Sequence, residues 1–174
     1  AYRAEYTRRG WAMNTMYDGI TDLLADLQTS GVRLAIATSK AEPVALRILE
    51  HFGIAERFEV IAGASPDGTR ATKADVVAHA LRQLGPLPER VLMVGDGLND
   101  TAALAAAHVS ISPATALDAA RTASDIVLLG QDMAPIADAL RIARQSTQRI
   151  RENFAISALY NVVAVPLALV GAAT

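Results

Sequence analysis

The sequence predicts an α/β domain built on a parallel sheet with helices on both faces, and three observations predict it. Short runs rich in β-branched residues at VRLAIA (32–37), EVIAG (59–63), VLMVG (91–95), HVSI (108–111) and DIVLL (125–129) alternate with segments of helical period. That alternation is the mark of strands joined by crossover helices. The composition is that of a folded chain, 52% hydrophobic against 20% charged over 174 residues. This length suits one domain with a core and is too short for two large ones. Glycines at positions 31, 53 and 85 stand where the helical segments should stop, as C-terminal caps do.

Taken in order, Ile20, Leu23, Leu24 and Leu27 form one helical stripe, closed by Gly31. VRLAIA follows as a buried strand ending at Thr38 and Ser39. Pro43 opens a second helix through Val44, Leu46, Ile48, Leu49 and Phe52, since proline is tolerated in a first turn. After the EVIAG strand, Thr72 is placed to cap a helix from Lys73 to Leu84, stopped by Gly85 and Pro86. VLMVG is the cleanest buried strand, and GDGLND follows it at once. An alanine-rich helical stretch separates the last two strands, and a long helix runs from about Ala134 through Arg151. The expected organisation is a linker or helix remnant over 1–17, the α/β domain over 18–130, a connecting amphipathic helix over 131–152, and an apolar helix over 153–174.

Sixteen Lys and Arg against eighteen Asp and Glu leave a net charge of −2, so nothing global draws the chain to nucleic acid. The absence of cysteine excludes a disulfide framework, a thiolate metal site and a cysteine nucleophile. The opening AYRAEYTRRGW lacks the apolar core of a signal peptide. Phe154–Thr174, by contrast, is uncharged over 21 residues. As a helix it would reach about 31 Å, enough to cross a hydrocarbon core. Arg141, Arg144, Arg149 and Arg151 precede it, which places the α/β domain on the cytoplasmic side by the positive-inside rule. The expectation is therefore a membrane helix with a cytoplasmic domain; the alternative is a cytoplasmic protein whose last helix is buried in its own core. Histidines 51, 79 and 108 are scattered without metal-ligand spacing, and Asp18, Asp22 and Asp26 share a helix face that reads as solvated.

Chemistry concentrates at the carboxyl ends of strands in such sheets. Asp96 and Asp100, with Asn99 between them, lie in a short loop where Gly95 and Gly97 let the backbone turn and approach a ligand. Two carboxylates and a carboxamide suit Mg²⁺, which commonly takes one or two carboxylates plus water and substrate phosphate. The bland alternative is a polar Gly–Asp turn. Thr38 can donate its hydroxyl to a phosphate oxygen. Lys73 stands at a helix start, where the dipole disfavours a cation, so it is either solvated or recruited to an anion. Hydroxyl, ammonium and metal carboxylates around one phosphate are the parts of a phosphoryl-transfer site.

At these residues the sequence resembles the haloacid dehalogenase superfamily, in two parts. Residues 1 to about 95 are similar to its phosphoglycolate-phosphatase-like branch, including a member described as a tyrosine kinase, through GVRLAIATSKAEP, HFGIAERFEVIAGAS, RATKADVVAHAL and LPERVLMVGD. From about Val91 onward the chain resembles heavy-metal P-type ATPases through VLMVGDGLNDTAALAAAHVSISPATALDAARTASDIVLLG. There HVSISPATA and FAISALYNVVAVPLALVG look most like the copper pumps of cytochrome oxidase assembly. The two likenesses meet at VLMVGD, which suggests a chimera of two branches.

The resemblance implies a Rossmann-like sheet, Mg²⁺ as cofactor, Thr38 as the motif II hydroxyl, Lys73 as the motif III lysine and Asp96 as the start of motif IV. It also implies ATP or a phosphorylated small molecule as substrate, and Tyr160 and Asn161 as contributors to a transported-metal site. The sequence departs from the family in three places. Thr101-Ala102 replaces the pumps' usual Ala-Pro, and no Cys-Pro-Cys helix is present to complete a copper site. No Asp-x-Asp occurs, so the family's nucleophile loop and its central strand are both missing from this stretch. Ser65-Pro66-Asp67-Gly68-Thr69 imitates that loop but reads as a turn past a strand. Two classes of function follow. One is a Mg²⁺-dependent phosphoryl-transfer domain of a phosphatase or pump, inactive as this stretch alone and completed by an N-terminal segment or further membrane helices. The other is a non-enzymatic, membrane-tethered remnant.

Overall fold

The computed structural model describes residues 10–86, 90–130, 132–169 and 171. The chain forms two compact units, Ala1–Ala134 and Pro135–Thr174. The first opens with a 3₁₀ turn at Gly10–Met13 and continues through α1 (Ile20–Thr29), β1 (Ala35–Ala41), α2 (Glu42–His51), β2 (Val60–Ala64) and α3 (Lys73–Leu84). It ends with β3 (Leu92–Val94), a 3₁₀ turn at Leu98–Asp100, α4 (Thr101–Ala106), β4 (Val109–Pro113), α5 (Asp118–Ala123) and β5 (Ile126–Leu128). Among its described residues the second unit has one helix, α6 (Pro135–Leu169).

All five expected strands form, and every pairing is parallel. They make two sheets, β1-β2 and β3-β4-β5, and β1 and β3 do not pair among the described residues. The sheet is thus interrupted between the Thr38 strand and the strand that leads to Asp96. One boundary also differs from expectation. Thr38 lies within β1, which runs to Ala41, because the ladder skips from Ala37↔Ala62 to Ala41↔Ala64. At this irregularity the Thr38 hydroxyl oxygen accepts the Lys40 N–H at 3.2 Å, so a side chain takes up a donor there.

Each sheet is covered by small apolar side chains. Val76 and Ala80 of α3 pack on Ala62 of β2, with Ala37 and Val60 alongside. Leu104, Ala116 and Ala120 pack together with Met93 and Ala123. Alanine at these points lets the helices sit close to the strands. The N-terminus of α3 is fixed as expected: Thr72 accepts the Asp75 N–H at 3.2 Å and donates its own N–H to Asp75 Oδ2 at 3.1 Å. That reciprocal capping box satisfies two otherwise orphaned donors and sets the direction in which Lys73 leaves the helix.

In α6 the apolar half is open rather than buried. Phe154, Ile156, Leu159, Tyr160, Val162 and Val163 are all exposed, Phe154 at 76%. The expected transmembrane helix needs correction: among the described residues no helix is long and apolar enough to cross a membrane. The apolar part of α6 spans 154–169, about 24 Å at helical rise against a core of about 30 Å. Val170 and Ala172–Thr174, counted in the expected span, lie outside the described residues, as do Ala1–Arg9 of the expected N-terminal remnant.

Candidate phosphate and metal site

Lys73 joins the two half-sheets. From the start of α3 its ammonium donates to the Ala37 carbonyl of β1 at 2.7 Å and lies 2.6 Å from Asp100 Oδ1. The side chains are 12% and 9% exposed, so this is a largely dry ion pair. A cation that looked misplaced at a helix N-terminus is therefore recruited to an anion from another element.

The Gly95–Asp100 loop follows β3 and folds on itself. Asp100, 6% exposed, accepts the Gly97 N–H on Oδ2 at 3.0 Å. Gly95 is required by contact: a Cβ there would meet the Asp100 Cβ at 2.9 Å. A Cβ on Gly97 would lie 2.5 Å from Asn99 Oδ1. Asn99 reaches across to β1, donating to Ser39 Oγ at 2.5 Å. Asp96 is exposed. Its carbonyl accepts the Leu117 N–H at 3.1 Å, and its Oδ2 accepts the Tyr17 hydroxyl at 3.0 Å. Burial, and then the hydrogen bond to Asp96, raise the Tyr17 phenol above its ordinary value.

Lys73, Asp100 and Asn99 thus meet the backbone and side chains of residues 37–39, and Asp96 opens the same loop. Thr38 is half-buried beside this meeting point, with its hydroxyl turned to Lys40. Tyr160 and Asn161 are exposed on α6. Sequence reasoning missed Tyr17 and Ser39. A single tyrosine ahead of a helix carries no local signal, and Ser39 was legible only as the neighbour of Thr38.

Among the described residues no group of three or more His, Cys, Asp and Glu side chains converges on one point. An all-protein metal cage is therefore absent from them. Asp96 and Asp100 do fit Mg²⁺, which keeps several waters and asks few carboxylates of a protein. The exposed Asp96 offers the accessible oxygens, while Asp100 is held by Lys73 and Gly97.

The Ser65–Thr69 imitation of a nucleophile loop is a turn. Asp67 Oδ1 accepts both the N–H and the hydroxyl of Thr69, at 3.1 and 2.9 Å. Hydrogen bonds from Ser65 and Thr69 pull its carboxyl down to about 2. A carboxylate so engaged stabilises a loop.

Residues 2–108 match the family model described as haloacid dehalogenase-like hydrolase. The chain is 68% identical over 108 residues to the Mycobacterium tuberculosis protein named tyrosine-protein kinase PtkA, covering 62% of this chain and 37% of that one. It is 33% identical over 145 residues to the mouse copper-transporting ATPase 1, covering 82% of this chain and 9% of the pump. That likeness is too long to be confined to residues 91–174. The chain therefore spans little more than a third of the first relative and a small part of the second. A crystal structure of a predicted phosphatase from Clostridium acetobutylicum superposes with a TM-score of 0.70 at 30% identity, over 80% of this chain and 66% of that one. With the parallel α/β fold and the strand-end loops in place, the chain belongs to the haloacid dehalogenase-like hydrolase family.

Proposed function

We propose that this chain supplies the phosphate- and Mg²⁺-handling part of a phosphoryl-transfer domain, and that the attacking carboxylate comes from another segment of a longer protein. The observation that carries the reading is the dry Lys73–Asp100 pair, set where the two half-sheets meet. Lys73 and the Thr38 hydroxyl would face the oxygens of a transferring phosphoryl group, where fixed positive charge and donors act most strongly with water excluded. Asp96 and Asp100, with Asn99 beside them, would hold Mg²⁺. When bound, that ion supplies charge neutralisation to the phosphoryl oxygens. Gly95 and Gly97 keep the loop free of side chains that would fill this space. The substrate class is a phosphorylated small molecule or ATP, in keeping with the two kinds of relative.

Covalent phosphoryl transfer without its nucleophile does not turn over. Calorimetric titration of the chain with Mg²⁺ should therefore give binding that Asp96→Ala removes, while p-nitrophenyl phosphate and ATP stay intact. Hydrolysis by the chain that disappears in Asp96→Ala would place a nucleophile within it and overturn the reading.

A second reading, a domain held at a membrane surface without catalysis of its own, is favoured by the open apolar side chains of α6, since soluble monomers rarely expose large apolar patches. Metal ligation by Tyr160 and Asn161 belongs instead to the pump-like form of the first reading and would need ligands from other helices.

A further inference from the structure

The two carboxylates of the Gly95–Asp100 loop are held in different ways. Asp100 is secured from close by, through the Gly97 N–H at 3.0 Å and the Lys73 ammonium at 2.6 Å. For Asp96 only the backbone is anchored locally: the Gly95 N–H donates to the Ile111 carbonyl and the Leu117 N–H to the Asp96 carbonyl, both at 3.1 Å. Its side chain is exposed and stands between two glycines, which offer nothing to hold it. The bond it receives comes from Tyr17, 79 residues away in sequence, with the hydroxyl 3.0 Å from Oδ2.

Tyr17 is not a loose tail residue. Asp18 next to it forms a parallel bridge with Asp132, and its carbonyl accepts the Met133 N–H at 3.1 Å. Gly19 follows at φ 74°, and a Cβ there would run into the Asp132 carboxylate. The base of the phenol is thereby fixed to the strand-end side of the domain.

We propose that Tyr17 is the positioning residue for Asp96: its hydroxyl engages Oδ2 and leaves Oδ1 for a divalent cation. The proposal rests on the reading of this loop as the Mg²⁺ site. Groups that hydrogen-bond a metal-ligating side chain set its orientation, and their loss typically costs about 10–100-fold in metal affinity.

The test is calorimetric titration of the whole chain with Mg²⁺ alone, alongside its thermal midpoint without metal. Tyr17→Phe should weaken binding about tenfold or more with the metal-free midpoint little changed. A merely structural role would lower the midpoint and leave the affinity of the folded protein alone. Unchanged or tighter Mg²⁺ binding by Tyr17→Phe overturns the proposal, tighter binding meaning that the phenol competes with the cation. Should Tyr17→Phe fail to fold, Tyr17 ring resonances of the parent chain that do not move on saturation with Mg²⁺ overturn it instead. Asp96→Asn separates the two levels. If it binds as well as the parent, or if the parent does not bind at all, the loop is not the site and the functional reading falls together with this one.

Discussion

The Lys73 ammonium lies 2.6 Å from Asp100 Oδ1 and 2.7 Å from the Ala37 carbonyl, spanning from one half-sheet to the loop of the other. Both charged side chains are nearly dry. Removing one partner of such a pair leaves the other charge buried and uncompensated. Lys73→Met should therefore destabilise the chain by about 3 kcal/mol, read as a shift in the urea midpoint at constant slope. A double-mutant cycle with Asp100→Asn should reveal coupling; strict additivity would mean that the pair contributes nothing as a pair.

Gly63 gives a steric prediction. A Cβ there would lie 2.5 Å from Glu42 Cα and 2.6 Å from the Lys40 carbonyl oxygen, both backbone atoms. Neither can move without shifting the β1–α2 junction, which also receives the Gly63 N–H on Glu42 Oε2 at 3.2 Å. Gly63→Ala should cost about 1–3 kcal/mol, the range for overpacking a close contact. An unchanged melting temperature would show that the junction yields.

Asp67 makes stability pH-dependent in a stated direction. Its carboxyl is held at about 2 by Ser65 and Thr69, below the ordinary carboxylate value near 3.9. A lowered folded-state value contributes stability that is complete above the unfolded value and is lost as pH falls toward 2. Asp67→Asn should therefore lower the melting temperature at pH 6 and differ less from the parent at pH 2.5. A gap that stays constant between the two would contradict the turn geometry.

The open face of α6 predicts the behaviour of the whole chain in solution. Phe154, Leu159 and Val162 are 76%, 66% and 70% exposed. Partition between water and a detergent phase should favour detergent for the intact chain, and truncation after Arg151 should return it to water. Equal partition before and after truncation would mean that this face finds cover within the protein.

Trp11 offers a probe of the N-terminal segment. It is the single tryptophan, with the Arg47 guanidinium 3.9 Å above its ring and His51 edge-on at 5.4 Å. Arg47→Ala should shift its emission and loosen the segment that leads to Tyr17, read as faster amide exchange over residues 10–18. A cation–π contact at such a site is worth about 0.5–1 kcal/mol, so global stability should move little.

What the sequence by itself determined is what depends on near neighbours along the chain. The helical stripe of α1, the Thr72 cap, the glycine stops and the five strands are local patterns, and all appear where the residues place them, within a few positions. The GDGLND loop was legible for the same reason, because two glycines and two carboxylates within six residues constrain one another. The end of β1 was not legible, because the irregularity after Ala37 arises from pairing with β2 rather than from the residues of β1. Only the tertiary structure decided that the sheet is interrupted between β1 and β3, that Lys73 pairs with Asp100, and that Tyr17 reaches Asp96. Those contacts join segments up to 79 residues apart, and no local spacing encodes them. They exist because the crossover helices return both strands with their carboxyl ends together, which is a property of the packed chain and of no segment within it.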